Sequence, residues 1–399
     1  MDRRKRLLVL GAGPAQLGLL EAARARGGLE IIALDRDPAA PGFAVADRRA
    51  IISTEDERGI QRLAEAERVD GIVAPGIDWP VSIAARVAEK IGIAHPLAPA
   101  TAVLAVSKAR QRERLAAAGV PQPAWHLVSR PEDGLPVPCV VKAPDRQGQR
   151  GLSLVEDVGE LEQAISRALA ESRNGHALVE EVADGPEVTV NAFSVDGSFH
   201  PLTVTDRLTA DPPAFGVALA HVWPSEANGG DAAEVAGRAV AELGIENGPS
   251  YTQLRITRDG PQVVEVAARL GGGHDAELCL AALGVDLNEL ALRAALGEEL
   301  DPAALFAEPQ AGGASTVFLT AEPGELEAVE GIDEAEAMDG VLRVRVYRRP
   351  GFAVGALRHG ADRLGAVQAM GGSRDEALER ARAAAALVRF RTARAGTVA

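Results

Sequence analysis

The stretch from Gly248 to His274 constrains the fold most, because it reads as a hairpin whose arms each carry an oxygen donor. Residues 251–257 are expected as one strand, residues 259–260 as the turn, and residues 263–267 as the returning strand. Gln253 and Glu265 then fall on adjacent strands, where pairing across the turn can bring both side chains to one face. Arg269 follows one step later, and Gly271-Gly272-Gly273 allows the backbone to come close to a bound group. Two neighbouring oxygen donors suit Mg²⁺, which takes carboxylate oxygens together with phosphate oxygens of its substrate. A surface hairpin with ordinary charges fits the same residues, so the rest of the chain has to decide.

A chain of 399 residues has room for two or three domains, each burying its own core. Fifty-seven acidic residues against 42 basic ones leave a net charge of −15, which argues against a nucleic-acid or membrane surface. No apolar run approaches the roughly 20 residues that span a bilayer. The basic start leads straight into a strand and a glycine turn, so a cytoplasmic protein without a signal peptide is expected. Cys139 and Cys279 sit in apolar patterns and read as small core residues, and the seven histidines show no zinc-ligand spacing. Lysine survives at only four positions, Lys5, Lys90, Lys108 and Lys142. Where arginine has replaced lysine almost everywhere, a lysine inside a domain invites a chemical reason, such as a point charge for one phosphate oxygen.

The chain opens with a buried strand at 6–11, a glycine turn from Gly11 to Gly18, a helix to about Gly27, and a strand at 30–34 ending on Asp35. That is the dinucleotide-binding layout, although Gly-x-Gly-x-x-x-x-Gly is looser than the usual fingerprint. Strands at 49–53 and 71–75 and helices near 59–68 and 79–91 continue the alternation, with a boundary expected at 96–101. A helix over 107–119 follows, then strands at 138–143 and 152–155 flanking the loop 145–151, a helix at 158–172 and a strand at 176–182. Strand, glycine loop, strand is not a Walker-type P-loop; it is either a plain hairpin turn or a flap presenting N–H groups to phosphates. Glu187, seven residues beyond Glu180, could take both hydroxyls of a ribose or simply end a strand in solvent. Helices are expected at 230–243, 276–282 and 287–296. A last lobe beginning near Gly312 should hold strands at 314–319, 341–348 and 366–368 and a helix from 375 to about 389.

Taken together, Lys108, Lys142, the glycine loop, Glu180 to Glu187, the hairpin carboxylate and Arg269 resemble the ATP-grasp superfamily, over nearly the whole chain. Glu265-Val-Ala-Ala-Arg-Leu-Gly-Gly looks closest to the bacterial L-amino-acid ligases, with an overall plan like that of biotin carboxylase and carbamoyl phosphate synthetase. The resemblance implies a mixed α/β and α+β multidomain fold. A Rossmann-like pre-ATP-grasp domain would occupy residues 1–104, the ATP-grasp core 105–310 with a mobile lid at about 122–183, and a C-terminal lobe 311–399. It implies that Lys108 and Lys142 meet phosphate and that Gly148, Gln149 and Gly151 form the flap. Glu180, Glu181, Val182 and Ala183 would border adenine and Glu187 would hold the ribose. Gln253 and Glu265 would bind Mg²⁺ (or Mn²⁺), Arg269 would face the transferred phosphoryl group, and Arg207 would assist. Gly271, Gly272, His274 and His221 would border the substrates.

Three positions depart from the usual pattern: Gln149 replaces a serine, Gln253 stands where glutamate is common, and Ala267 where asparagine is common. The dipeptide ligases share that alanine. The implied chemistry is attack of a carboxylate on the γ-phosphorus of ATP, giving an acyl phosphate that an amine then opens, a reaction served by positioning and charge neutralisation. The implied partners are a small carboxylate and a small amine, an amino acid being one of them, with a homodimer as the assembly it allows. Rival readings are an NAD-dependent oxidoreductase using Gly11 to Gly18 and Asp35, a nucleotide-binding protein without turnover, and an ATP-grasp enzyme using bicarbonate or formate.

Overall fold

A computed structural model of the protein describes residues 3–227 and 229–393. Strand Lys5–Leu10 alternates its apolar side chains between two cores. Leu7 and Val9 pack with Leu19, Leu20 and Leu290 on one face, and Leu8 and Leu10 with Ile60, Val81 and Ile83 on the other. A strand buried on both faces belongs inside a parallel sheet. Here the order is Arg48–Ile51, Leu29–Asp35, Lys5–Leu10, Gly71–Val73, all parallel. Helix Glu57–Glu67 starts where the Asp56 side chain accepts from the Gly59 N–H, a standard N-cap. Where the sequence reading placed only a boundary, a short helix Pro99–Ala105 leads on to helix Lys108–Ala117.

The central element is an eight-stranded antiparallel sheet. Its first edge is the expected hairpin, Gly248–Thr257 and Gly260–Ala267. The turn falls one residue earlier than expected: Thr257 pairs with Gly260, so Arg258 and Asp259 form the two-residue loop and Gly260, at φ +109°, opens the returning strand. Gln253 pairs directly with Glu265, and the register then slips so that Leu254 faces Val263. Val264 is therefore the extra residue of a bulge beside the oxygen pair. Strand Gly260–Ala267 is a sheet edge, and helix Lys108–Ala117 covers it with side chains. Gln111 donates to Val266 O at 2.7 Å and accepts from Val266 N at 3.0 Å. Arg112 donates to Val263 O at 2.9 Å and to Val264 O at 2.7 Å, pinning the bulge.

A smaller four-stranded sheet (Trp125–Val128, Ala177–Glu181, Cys139–Lys142, Ser153–Val155) packs helix Val158–Glu171 over a core of its own, around Val141, Leu161, Ile165 and Val179. Strands Gly313–Leu319, Gly365–Gly371 and Val341–Val346 of the expected last lobe extend the central sheet, through pairs such as Ala220 with Val317. A three-stranded sheet of Ala353–Val354, Gly324–Glu330 and Arg389–Ala393 was not expected from the sequence. Its middle strand has a single buried residue and carries three glutamates, so no apolar alternation announces it. Among the described residues no helix is long and apolar enough to cross a membrane.

Candidate active site

Between the small sheet and the edge hairpin lies a cleft enclosing about 1210 Å³, its open mouth included. Lys108, Lys142, Gly148, Gln149, Glu180 through Ala183, Glu187, Arg207, Gln253, Glu265 and Arg269 all line it. Gly151 belongs to the same loop but is not on the wall, and Gly271, Gly272, His221 and His274 also lie away from this lining.

Lys142 reaches the cleft from the buried end of strand Cys139–Lys142, with its Nζ 2.7 Å from Glu180 Oε2. The other oxygen of Glu180 accepts from Arg112 Nε at 2.7 Å. Glu180 is thus a buried carboxylate between two cations. Burial pushes its pKa up, but Arg112 and Lys142 outweigh burial and hold it below the ordinary carboxylate range. Burial pushes the Lys142 amine down, and Glu180 opposes that. Arg112 thereby joins three parts of the site: the helix of Lys108, the Glu180 strand and the hairpin bulge.

Across the cleft, Lys108 Nζ lies 2.7 Å from Glu265 Oε1 and donates to Arg146 O of the glycine loop at 2.7 Å. One lysine therefore touches both the hairpin carboxylate and the flap. The adjacent Gln253 and Glu265 offer only hard oxygen donors, which fits Mg²⁺ completed by phosphate oxygens and water. No cluster of three His, Cys, Asp or Glu groups suited to a metal occurs among the described residues. Arg269 is held by Asp78 Oδ1, 2.6 Å from its Nε, and donates to Leu270 O. Burial works against its charge, and Asp78 and Glu265 more than restore it.

At the far end Glu187 is clasped by Arg207 (2.7 Å) and Arg255 (3.0 Å), so it is a buried, paired strand-end glutamate and not a solvated one. Arg207 also donates to Gly216 O at 2.8 Å. His221, opposite Arg207 on the next strand, places Nδ1 2.9 Å from Asp275 Oδ1. A Cβ on Gly273 would stand 2.5 Å from the His221 ring, so only glycine lets this loop pass. His274 is buried too, its Nε2 2.5 Å from the Tyr347 hydroxyl and its Nδ1 3.3 Å from Glu277. Arg363, in the last lobe, lies with its guanidinium 3.7 Å over the Phe318 ring and donates Nε–H to Gly360 O at 2.8 Å. Burial lowers its pKa, Tyr347 opposes that, and Arg207 adds to the lowering. Among the described residues no carboxylate forms an ion pair with it.

Arg112, Asp78, Asp275, Tyr347 and Arg363 were missed in the sequence. Only Arg112 left a signal there, since it stands four residues after Lys108 on one helix face. The first glycine turn is filled from within: Gln16 accepts from Gly13 N at 3.0 Å and donates to Pro75 O at 2.6 Å. Asp35, the expected ribose ligand of a dinucleotide site, accepts from Ala12 N at 3.0 Å and from Asp37 N at 3.0 Å.

The ATP-grasp domain model matches residues 135–277, and the model of L-amino acid ligase C-terminal domain 2 matches residues 317–393. A formate-dependent phosphoribosylglycinamide formyltransferase of Burkholderia lata is 30% identical over 413 residues, covering 98% of this chain and 96% of its own. The L-amino acid ligase of Bacillus licheniformis superposes with a TM-score of 0.84 at 22% identity, over 98% of this chain and 100% of that one. The biotin carboxylase domain of a Hydrogenobacter thermophilus 2-oxoglutarate carboxylase, solved with MgADP, ADP and bicarbonate, superposes at 0.79 with 18% identity, over 98% and 92%. These agree with the cleft in fold and in chemistry: the chain belongs to the ATP-grasp carboxylate–amine ligases, ADP-forming enzymes that use ATP and Mg²⁺.

Proposed function

We propose that this ligase takes an amino acid as one substrate, activates a carboxylate as an acyl phosphate, and joins it to an amine. The observation that carries the reading is Arg363, a guanidinium with no carboxylate ion-pair partner among the described residues, whose charge feels that of Arg207 on the cleft wall. An amino acid needs a guanidinium for its carboxylate, and Arg363 can supply one. The match to an L-amino acid ligase C-terminal domain over the segment that carries Arg363 supports the same reading.

In this proposal Lys108 and Lys142 neutralise phosphate, the loop of Gly148, Gln149 and Gly151 folds over the γ-phosphate, and residues 180–183 border adenine. Glu187 keeps a lone pair on each oxygen for ribose hydroxyls while its two arginines fix it. Gln253 and Glu265 would hold Mg²⁺, which when bound neutralises charge on the phosphate oxygens. Lys108 and Glu265, now 2.7 Å apart, would then serve phosphate and metal respectively. Arg269, oriented by Asp78, and Arg207 stabilise charge on the group in transfer. Gly271 and Gly272 carry the chain past the substrates, and His221 and His274 orient them. The lid about 122–183 is the part that moves, because it has its own core.

Phosphate release scored across amino acids and small acids tests the reading. Release that requires an amino acid is expected. The B. lata relative favours a second reading, and release that requires formate with phosphoribosylglycinamide would establish that one instead.

A further inference from the structure

The glycine loop does not end at the nucleotide. Gly148, Gln149 and Gly151 all have positive φ (68°, 65° and 68°), a left-handed run that costs a glutamine more than a glycine and turns its side chain out of the loop. That side chain reaches the last lobe, where Gln149 Oε1 accepts from Gly360 N at 3.2 Å. The carbonyl of the same Gly360 accepts from Arg363 Nε at 2.8 Å. Gly360 opens a single helical turn, Gly360–Asp362, closed on itself by Asp362 Oδ2, which accepts from Arg358 N at 2.9 Å and His359 N at 2.8 Å. One residue of this self-closed turn therefore carries the Gln149 contact on its N–H and a guanidinium on its carbonyl.

We propose that Gln149 is a positioning residue that couples closure of the flap over the nucleotide to the orientation of Arg363 for an anionic group of the second substrate. The proposal rests on the ligase reading above. Nothing in nucleotide binding asks for an amide at position 149, whereas a side chain long enough to cross to Gly360 is what the contact requires. Binding of nucleotide would order the segment 357–365 before substrate arrives, so that the substrate meets an arginine already aimed.

Hydrogen–deuterium exchange with saturating Mg-AMP-PNP tests this on the full chain. In the wild type, protection is expected to rise in the flap, 146–151, and also in 357–365. Gly360→Pro deletes the donor and suits the fold, because proline is accepted at the first position of a helix and His359 before it is extended (φ −137°, ψ 157°). Gly360→Ala keeps the donor, and its Cβ would meet nothing closer than 3.4 Å. Gly360→Pro should lose the protection in 357–365 and keep it in the flap; Gly360→Ala should keep both. Gln149→Met, of similar length but without the acceptor, should lose protection in 357–365 as the proline variant does. In steady state Gly360→Pro should raise KM for the carboxylate substrate by about tenfold and change KM for ATP by less than about twofold. Wild-type protection confined to the flap, or full protection of 357–365 in Gly360→Pro, overturns the coupling alone. No thermal shift with Mg-AMP-PNP overturns the ligase reading and the coupling with it.

Discussion

Two glycine-rich turns in this protein look alike on paper and differ in what occupies them. In the turn from Gly11 to Gly18, Gln16 folds back on Gly13 and Pro75, taking the place a pyrophosphate would need. The loop carrying Gly148 and Gln149 instead faces a cleft lined by two lysines and five arginines. A glycine pattern establishes that the backbone can approach something, and the side chains around it decide whether that is a ligand or the protein itself. Helix Asp78–Ile91, packed on the N-terminal sheet, contributes Asp78 to orient Arg269.

The contrast can be broken at either turn. The largest effect is expected at Arg112, which holds the second region together: Arg112→Met leaves Glu180 short of a partner in a buried site and should cost about 3–5 kcal/mol in urea unfolding. A change below 1 kcal/mol would show that Lys142 alone satisfies Glu180. Lys142→Ala and Glu265→Ala should each lower phosphate release at least about a hundredfold, roughly 2.7 kcal/mol of transition-state stabilisation. Wild-type turnover in either removes that residue from the mechanism.

Ligand binding sharpens the same contrast. MgATP at about a hundred times its Kd should stabilise the protein by about 2.7 kcal/mol, whereas NAD should leave the melting temperature unchanged. A shift with NAD that Gln16→Ala enlarges would return the first turn to the list of ligand sites. Without NAD, Gln16→Ala leaves the Gly13 N–H unpaired and should cost about 1–3 kcal/mol, with turnover within about twofold of wild type.

The smallest effect concerns His95, beyond the first sheet. Its Nδ1 lies 3.2 Å from the Leu97 N and 3.1 Å from the Leu97 O, and burial lowers its pKa to about 4 against the Leu97 backbone hydrogen bond, which favours the proton. The unfolded chain binds this proton near pH 6.5, so the stability it contributes is complete above that pH and declines as pH falls towards 4. The slope is at most about 1.4 kcal/mol per pH unit, and His95→Gln should flatten it. An unchanged slope would assign the acid sensitivity to other groups.

Much of the architecture was legible because it follows from local patterning. The parallel alternation, the hairpin and the strand–loop–strand at 139–155 each lie within a few tens of residues, whereas Gln253 faces Glu265 only because the bulge at Val264 shifts the register that the two-residue turn alone would set. The strand Gly324–Glu330 was not legible, since its partners, not an apolar face, make it a strand.

What the sequence determined by itself is the family's set of charged groups and the order in which the chain presents them. Only the tertiary structure decided which of those groups are paired. Arg112 meets Glu180 68 residues away, Arg269 meets Asp78 across 191, and Gln149 meets Gly360 across 211. Such partners leave no periodic trace, because the chain has to close long loops and bury both charges before either side chain can recognise the other.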